Sequence, residues 1–131
     1  ILYAFVNIGL GPDGGASWLL ARQVGYSRAL EIATSGKKVT GQRCLELGLT
    51  NRIVAQDDIL SNAQAWAEEF AVRPTLAIGI AKEDMFFAMD HSLNEAIAFE
   101  AKKQIEAFKS HDLKEGVSAF IEKRKPNFLG K

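Results

Sequence analysis

The feature that most constrains the fold is an apolar stripe with helical spacing in the second half of the chain, from Asp57 onward. One segment carries Ile59, Ala63, Trp66 and Phe70, and a later one carries Leu93, Ile97, Ala101, Ile105 and Phe108. An α-helix brings every third or fourth residue onto one face, so this spacing is typical of amphipathic helices. We therefore predict that residues 57–131 are helical, with connecting turns.

Two polar patterns predict where helices of this region begin. Ser92-Leu93-Asn94-Glu95 has the capping-box pattern, in which the serine and glutamate side chains each bind a free backbone N–H. Asp112 and Glu115 repeat the pattern in aspartate form, and Pro126 marks a stop further on. Ser92 and Asp112 are thus both predicted to be N-caps.

The first 56 residues have a mixed pattern. The apolar run at 2–8 and the segment 50–54 predict short strands, because their β-branched and aromatic residues suit buried strands. Between them, short helices are predicted at 17–24, 27–35 and 41–47, with Gly36 ending the second and Thr40 capping the third. The chain is accordingly divided into residues 1–56 and 57–131, and is predominantly α-helical with one or two short strands.

Composition excludes several classes of protein. The chain has 131 residues, enough for one ordinary domain, and its 16 basic and 16 acidic residues balance, which argues against a nucleic-acid-binding surface. Its single cysteine, Cys44, excludes an internal disulfide and fits a reducing cytoplasm. No apolar run is long enough to cross a membrane. The chain starts with Ile1 rather than methionine, so we expect it to be either the inside of a longer protein or a truncated form of one.

One aspartate stands out among glycines. Asp13 lies in the stretch GLGPDGGAS, between the apolar run and the helix predicted at 17–24. It could cap that helix, which is the favoured interpretation from the residues alone, or it could face a substrate. The stretch is not a phosphate loop, because no Lys-Ser/Thr follows and the spacing is not that of a dinucleotide-binding turn.

Other polar residues carry weaker signals. His91 and His111 each precede a predicted cap and are interpreted as solvated helix-boundary residues. No set of cysteine, histidine and carboxylate residues has metal-ligand spacing, so no metal site is predicted. The basic run 123–125 suits the last turn of a helix, where positive charge is stabilised by the helix dipole.

The order of these motifs resembles the enoyl-CoA hydratase/isomerase family, also called the crotonase family. The resemblance rests on AFVNIGLGPDGGASWLLARQVG, on the A-x-E helix with TGQRCLELGLTNRIV, and on the ending DLKEG with AFIEKR. It implies an α/β fold, the crotonase-like spiral, of which this chain is similar to the C-terminal half only. By that likeness residues 1–56 are the end of the core, and residues 57–131 are a helical region for oligomerisation and for covering coenzyme A.

The resemblance also implies site residues. Hydratases of this family place a catalytic glutamate eight residues before the turn aspartate, and that position here is Phe5. Several other members place the working carboxylate in the turn itself, at Asp13. Phe5 with Asp13 therefore favours double-bond isomerisation over hydration, with Asp13 as acid and base. The implied substrate-binding residues are Phe5, Gly11, Gly14, Gly15, Trp18, Leu19, Phe120 and Lys123.

Partners follow from the same likeness. The implied ligand is an acyl-CoA, whose coenzyme A arrives as part of the substrate, and no other cofactor is implied. The family implies a homo-oligomer, here a trimer or a swapped dimer. Because the half that supplies the oxyanion-binding N–H groups is missing, we expect the chain alone to be inactive, and a complementing N-terminal half is a further expected partner. The competing class is a non-catalytic helical interaction module derived from this fold.

Overall fold

A computed structural model describes the whole chain, residues 1–131. Its α-helices are α1 (Ala16–Val24), α2 (Tyr26–Ser35), α3 (Gly41–Glu46), α4 (Ile59–Ala71), α5 (Thr75–Ala88), α6 (Leu93–Phe108) and α7 (His111–Ile121). Short 3₁₀ helices occur at Phe5–Ile8 and Gln56–Asp58. The prediction of a predominantly helical chain is thus confirmed.

Neither predicted strand forms. Leu2 makes one isolated antiparallel bridge to Lys38, and the rest of the apolar run turns into the 3₁₀ helix Phe5–Ile8. There the backbone bonds to itself, with the Leu10 N–H donating to the Phe5 carbonyl at 2.9 Å. Residues 52–55 have no regular structure. A strand needs a neighbour for its N–H and C=O groups, and within this chain only the start of the first segment has one, at Lys38.

The chain divides into two compact units, Ile1–Gln56 and Asp57–Lys131. In the first unit the buried cluster is formed by Leu20, Val24, Ala29, Ile32 and Leu47. Because these side chains come mainly from α1 and α2, the two helices form the centre of this unit. The functions predicted for the two parts of the chain stay predictions.

Helix boundaries in the first unit follow short-range rules. Gly36 ends α2 in the left-handed conformation, with φ 59°, as its position predicted. The Thr40 side chain caps α3 by accepting a hydrogen bond from the Arg43 N–H at 3.2 Å. Both of these predictions are confirmed.

The second unit contains the helices α4 to α7. The predicted capping box at the start of α6 is present: the Ser92 N–H donates to a Glu95 carboxylate oxygen at 2.9 Å, and the Glu95 N–H donates to the Ser92 hydroxyl at 3.4 Å. The rings of Phe87 on α5 and Phe99 on α6 stack with centroids 4.2 Å apart. A Lys103–Glu83 ion pair also joins these two helices.

The predicted N-cap at Asp112 is wrong. α7 is capped two residues earlier by Ser110, whose hydroxyl accepts from the Leu113 N–H at 3.0 Å. Asp112 lies in the first turn of α7 and is only 3% exposed. Its carboxylate accepts from backbone N–H groups near the end of the chain, at Leu129 and Gly130. The residue thus uses its acceptors for a distant segment and not for its own helix.

None of the helices has both the length and the apolar character required to span a bilayer.

Candidate functional site

The glycine-rich turn before α1 is an open backbone structure. Gly9, Gly14 and Gly15 have φ angles of 77°, 58° and 82°, which side-chain-bearing residues rarely adopt. No atom lies within 4 Å of where a Cβ would stand on these glycines or on Gly11. The turn therefore leaves room for another molecule to lie close to the backbone.

Asp13 is exposed within this turn, and its side chain has no protein partner. Gly15 occupies the N-cap position of α1, which has no side-chain cap. Only the backbone carbonyl of Asp13 takes part, accepting from the Ala16 N–H at 2.9 Å. The helix-cap interpretation of Asp13 is therefore wrong, and its carboxylate is free to meet a ligand.

An apolar cleft of about 390 Å³ lies beside the turn. Its walls come from the N-terminal segment, from the turn and from the facing sides of α1 and α2. The lining residues are Tyr3, Val6, Leu10, Gly11, Pro12, Ser17, Leu20, Ala21, Tyr26, Ala29, Leu30, Ala33 and Thr34. Asp13 directly follows Pro12, so its backbone lies at the edge of this cleft, one residue beyond the lining.

The structure distributes the predicted substrate residues unevenly around this cleft. Gly11 lines it, whereas Phe5, Trp18 and Leu19 do not. Phe5 packs its ring edge-on against Tyr3, with centroids 6.2 Å apart, so it supports a lining residue. The guanidinium of Arg22 lies 3.7 Å from the centre of the Trp18 ring. Gly14 and Gly15 shape the turn outside the lining.

Sequence reasoning missed the two tyrosines of the cleft. The Tyr3 hydroxyl donates a long hydrogen bond, 3.4 Å, to the carbonyl of Ala16 at the start of α1. Tyr26 begins α2 with most of its surface exposed. The residue type could have indicated them, because a tyrosine combines a wide apolar contact surface with one polar group and therefore suits the lining of a cleft.

A second apolar cavity, of about 410 Å³, lies within the second unit. Phe120 lines it, together with Leu76, Val117 and Phe128, and is 85% exposed. Lys123, the other predicted coenzyme A contact, has φ 54° and is the one residue other than glycine with a positive φ. It follows the end of α7, where the Lys123 N–H donates to the Phe120 carbonyl and the Arg124 N–H donates to the Ala119 carbonyl. These two bonds form a Schellman motif, whose left-handed position is normally glycine.

Two carboxylates of α7, those of Asp112 and Glu115, bind the end of the chain and have lowered pKa values. Arg124 and the Asn127 N–H bind the Glu115 carboxylate and lower its pKa to about 2. Burial raises the pKa of Asp112, but the N–H groups of Leu129 and Gly130, with His111, outweigh burial and leave that pKa below its usual range. Both groups are therefore anionic at neutral pH and bind the end of the chain.

This arrangement limits the chemistry. No cluster of histidine, cysteine, aspartate and glutamate residues is suited to hold a metal ion. The first cleft is lined by no carboxylate, histidine or cysteine. Two acids each follow a lining residue directly: Asp13 follows Pro12 in the turn, and Glu31 follows Leu30 on α2. Asp13 is the one of these acids that lies in the open turn, and a free carboxylate beside an apolar cleft can take a proton from a carbon acid and return it.

Comparison with known proteins places these features in a family. The sequence profile of the enoyl-CoA hydratase/isomerase family matches residues 1–131. The chain is 36% identical over 128 residues to a 1,2-epoxyphenylacetyl-CoA isomerase of Escherichia coli, covering 98% of this chain and 49% of that protein. It is also 36% identical over 130 residues to a probable enoyl-CoA hydratase of Rhodobacter capsulatus, covering 99% of this chain and 51% of that one.

Solved structures agree with the sequence comparisons. A structure of enoyl-CoA hydratase subunit I from Geobacillus kaustophilus matches with a TM-score of 0.94 at 37% identity, covering 97% of this chain and 49% of the other. The structure of a putative enoyl-CoA hydratase from Streptomyces coelicolor matches with a TM-score of 0.94 at 28% identity, covering 99% of this chain and 48% of the other.

The chain therefore belongs to the enoyl-CoA hydratase/isomerase family, as its motifs predicted. Its fold is that of the crotonase-type structures, and the predicted fold class is confirmed. The chain spans about half the length of the relatives that it matches.

Proposed function

We propose that the chain takes part in binding an acyl-CoA and in moving a double bond of its acyl group, with Asp13 as the acid and base. The observation that carries this proposal is the free, exposed carboxylate of Asp13 in an open glycine-rich turn beside an apolar cleft. In such a reaction Asp13 takes a proton from one carbon of the acyl chain and returns it to another, so no net proton, electron or water is consumed.

Phe5 favours isomerisation over hydration. Hydration of an enoyl thioester in this family uses two carboxylates around a water molecule, and Phe5 offers an apolar ring at the position of one of them. The ring packs on Tyr3 and cannot transfer a proton. One similar protein is named an isomerase and several are named probable hydratases, so the names support the family and leave the reaction to be tested.

The chain alone should have little activity. Proton removal beside a thioester places negative charge on the carbonyl oxygen, and losing one preorganised N–H donor for such a charge costs about 3–4 kcal/mol. By the family likeness both donors belong to an N-terminal half, which is outside these 131 residues. We therefore propose that a complementing N-terminal half is a partner, and that it completes the site.

A homo-oligomer is the second proposed association. The chain exposes 9922 Å² of surface, whereas two separate compact bodies of half its mass would expose about 8,200 Å² together. Only nine hydrophobic residues are buried, against 25 large hydrophobic residues that are exposed. Apolar surface of this extent marks association sites. We propose that it is covered in a trimer or a swapped dimer, in the cytoplasm, where the free thiol of Cys44 stays reduced.

The activity test uses the chain joined to the N-terminal half of a similar enzyme. Absorbance of the conjugated enoyl thioester should report isomerisation by the joined protein and none by the chain alone. Asp13→Asn keeps size and polarity and should abolish that activity, whereas Phe5→Ala should retain it. Full activity in the Asp13→Asn protein would remove Asp13 from the chemistry.

The competing function is a non-catalytic helical interaction module, which the exposed apolar surface also favours. Sedimentation velocity at micromolar concentration measures the size of the assembly, so it tests the proposed association independently of catalysis. The isomerase and the interaction module are both proposed to be assemblies larger than the 14.4 kDa monomer, so finding only a monomer would overturn the proposed oligomer. A stable oligomer whose joined form binds no acyl-CoA would favour the interaction module.

A further inference from the structure

The last residues of the chain are bound to α7 by a buried carboxylate. Asp112 Oδ1 accepts a hydrogen bond from the Leu129 N–H at 2.7 Å, and Asp112 Oδ2 accepts one from the Gly130 N–H at 2.8 Å. The Asp112 N–H in turn donates to the Lys131 carbonyl at 3.1 Å. Asp112 therefore meets three consecutive residues of the tail, and it does so at 3% exposure.

A second carboxylate, one helical turn further along α7, binds the start of the same tail. The guanidinium of Arg124 donates to both oxygens of Glu115, at 2.6 and 3.0 Å, and the Asn127 N–H donates to Glu115 Oε1 at 2.7 Å. The Glu115 side chain is 15% exposed. Charged, bidentate pairs of this kind are the stronger hydrogen bonds of proteins.

The tail held in this way forms part of the second cavity. Phe128 lies close to Gly116 of α7, where a Cβ would stand 3.5 Å from its ring, and it lines the cavity with Phe120. Gly130 lies against Thr75 at the start of α5. The tail thus lies against both α5 and α7, and it contributes Phe128 to the lining of the cavity.

We propose that Asp112 and Glu115 are positioning residues, a two-carboxylate clasp that fixes residues 124–130 against α7 and thereby holds Lys123 in place for its ligand. Lys123 lies between the last turn of α7 and the anchored Arg124. Its left-handed backbone is unfavourable for a lysine and has to be held by its surroundings. The clasp restrains this backbone, because Glu115 binds Arg124, directly after Lys123, and the Asn127 N–H. The ligand, an acyl-CoA, rests on the proposed function, whereas the clasp itself does not.

The test compares two clasp variants with a matched control in the 131-residue chain. Glu115→Gln and Asp112→Asn each remove one charge with little change of shape. Glu122→Gln is the control, because Glu122 also accepts a hydrogen bond from the Arg124 side chain, at 2.5 Å, but accepts none from a backbone N–H of the tail. Amide hydrogen exchange and backbone chemical shifts are measured by NMR for each protein.

We expect amide exchange at Asn127, Leu129 and Gly130 to become at least tenfold faster in both clasp variants. The Lys123 carbon shifts should move towards random-coil values, while the amides of α6 keep their protection. Unchanged tail exchange or unchanged Lys123 shifts in Glu115→Gln would overturn the proposal, as would an equal effect of Glu122→Gln. If Asp112→Asn unfolds the whole unit, Glu115→Gln still decides, because Glu115 lies nearer the surface.

A second measurement separates the clasp from the proposed function. In the joined protein, Glu115→Gln should raise the KM for the acyl-CoA about fivefold and leave kcat within twofold, because Asp13 is not disturbed. A mere loss of stability would lower the amount of active enzyme and leave KM unchanged, and that result would overturn the positioning role. An inactive joined protein whose tail exchange responds as expected would instead contradict the proposed function and leave the clasp supported.

Discussion

Replacing Lys123 by glycine should stabilise the chain, although the same replacement at the end of another helix should destabilise it. Lys123 has φ 54° after α7, whereas Lys109 caps α6 with φ −86° and ψ −11° in the right-handed region. Holding an ordinary residue in the left-handed region costs about 1–2 kcal/mol, and glycine avoids that cost. The added freedom of glycine in the unfolded chain returns about 0.4–1 kcal/mol.

The net gain expected for Lys123→Gly is therefore about 0.5–1 kcal/mol in the free energy of unfolding. In Lys109→Gly no backbone strain is relieved, and glycine only increases the conformational entropy of the unfolded chain. The free energy of unfolding should therefore fall by about 0.5–1 kcal/mol. Urea denaturation followed by circular dichroism measures both, with the slope against urea checked for constancy. The pair is matched, because both variants remove a lysine from a helix C-terminus.

Loss of stability in Lys123→Gly, equal to that in Lys109→Gly, would refute the reasoning. It would mean that contacts of the Lys123 side chain outweigh the strain of its backbone. If Lys123→Gly is more stable, its affinity for acyl-CoA is measured next. Weaker binding by this more stable variant would show that the Lys123 side chain serves ligand binding and not stability. The joined protein provides that second measurement.

Three further changes should have defined effects on stability. Ser92→Ala and Ser110→Ala each remove a side chain that caps a helix, so each should cost about 1 kcal/mol in urea denaturation, whereas Ser118→Ala, within α7, should cost less. Gly36→Ala should cost about 1–2 kcal/mol in thermal unfolding, because its φ is 59° and its new methyl group would meet the Asn7 side chain; no change would contradict the left-handed turn. Lowering the pH from about 5 towards 2 should destabilise the second unit, because the pKa of Glu115 falls from 4.5 in its ordinary state to about 2 when folded. The ionised form is the one that folding favours, so its contribution is present above pH 4.5 and is lost as Glu115 takes up a proton; Glu115→Gln should flatten this dependence, and an unchanged acid profile would contradict it.

Helix caps could be predicted from the sequence because their partners are three residues away. Thr40 with Arg43 and Ser92 with Glu95 bond within a single helical turn, so a local pattern is enough to predict them. The same local rule failed at Asp112, because Ser110, two residues earlier, caps α7 instead. The partners that decide the role of Asp112 lie 17 and 18 residues further on, and no local pattern reports them.

The strand predictions failed for a related reason. The residue types at 2–8 favour extended backbone, but a strand is stabilised by its neighbours, and only Leu2 finds one, at Lys38. At the candidate site the sequence indicated Asp13 and the open turn, and its order of motifs identified the family. It did not indicate that Phe5, Trp18 and Leu19 lie outside the lining of the first cleft, because that depends on how the 3₁₀ helix and α1 are rotated.

The many exposed apolar side chains also have a calorimetric consequence. The heat capacity of a protein rises on unfolding by about 0.45 cal/K/mol for each Å² of apolar surface newly exposed to water. A chain of this length ordinarily gains about 1.6–2.0 kcal/mol/K. Here 25 large apolar residues are already hydrated before unfolding begins, so the gain is smaller. Its stability curve against temperature is therefore flatter than is usual for a chain of this length, and each partner that covers those side chains makes the curve steeper.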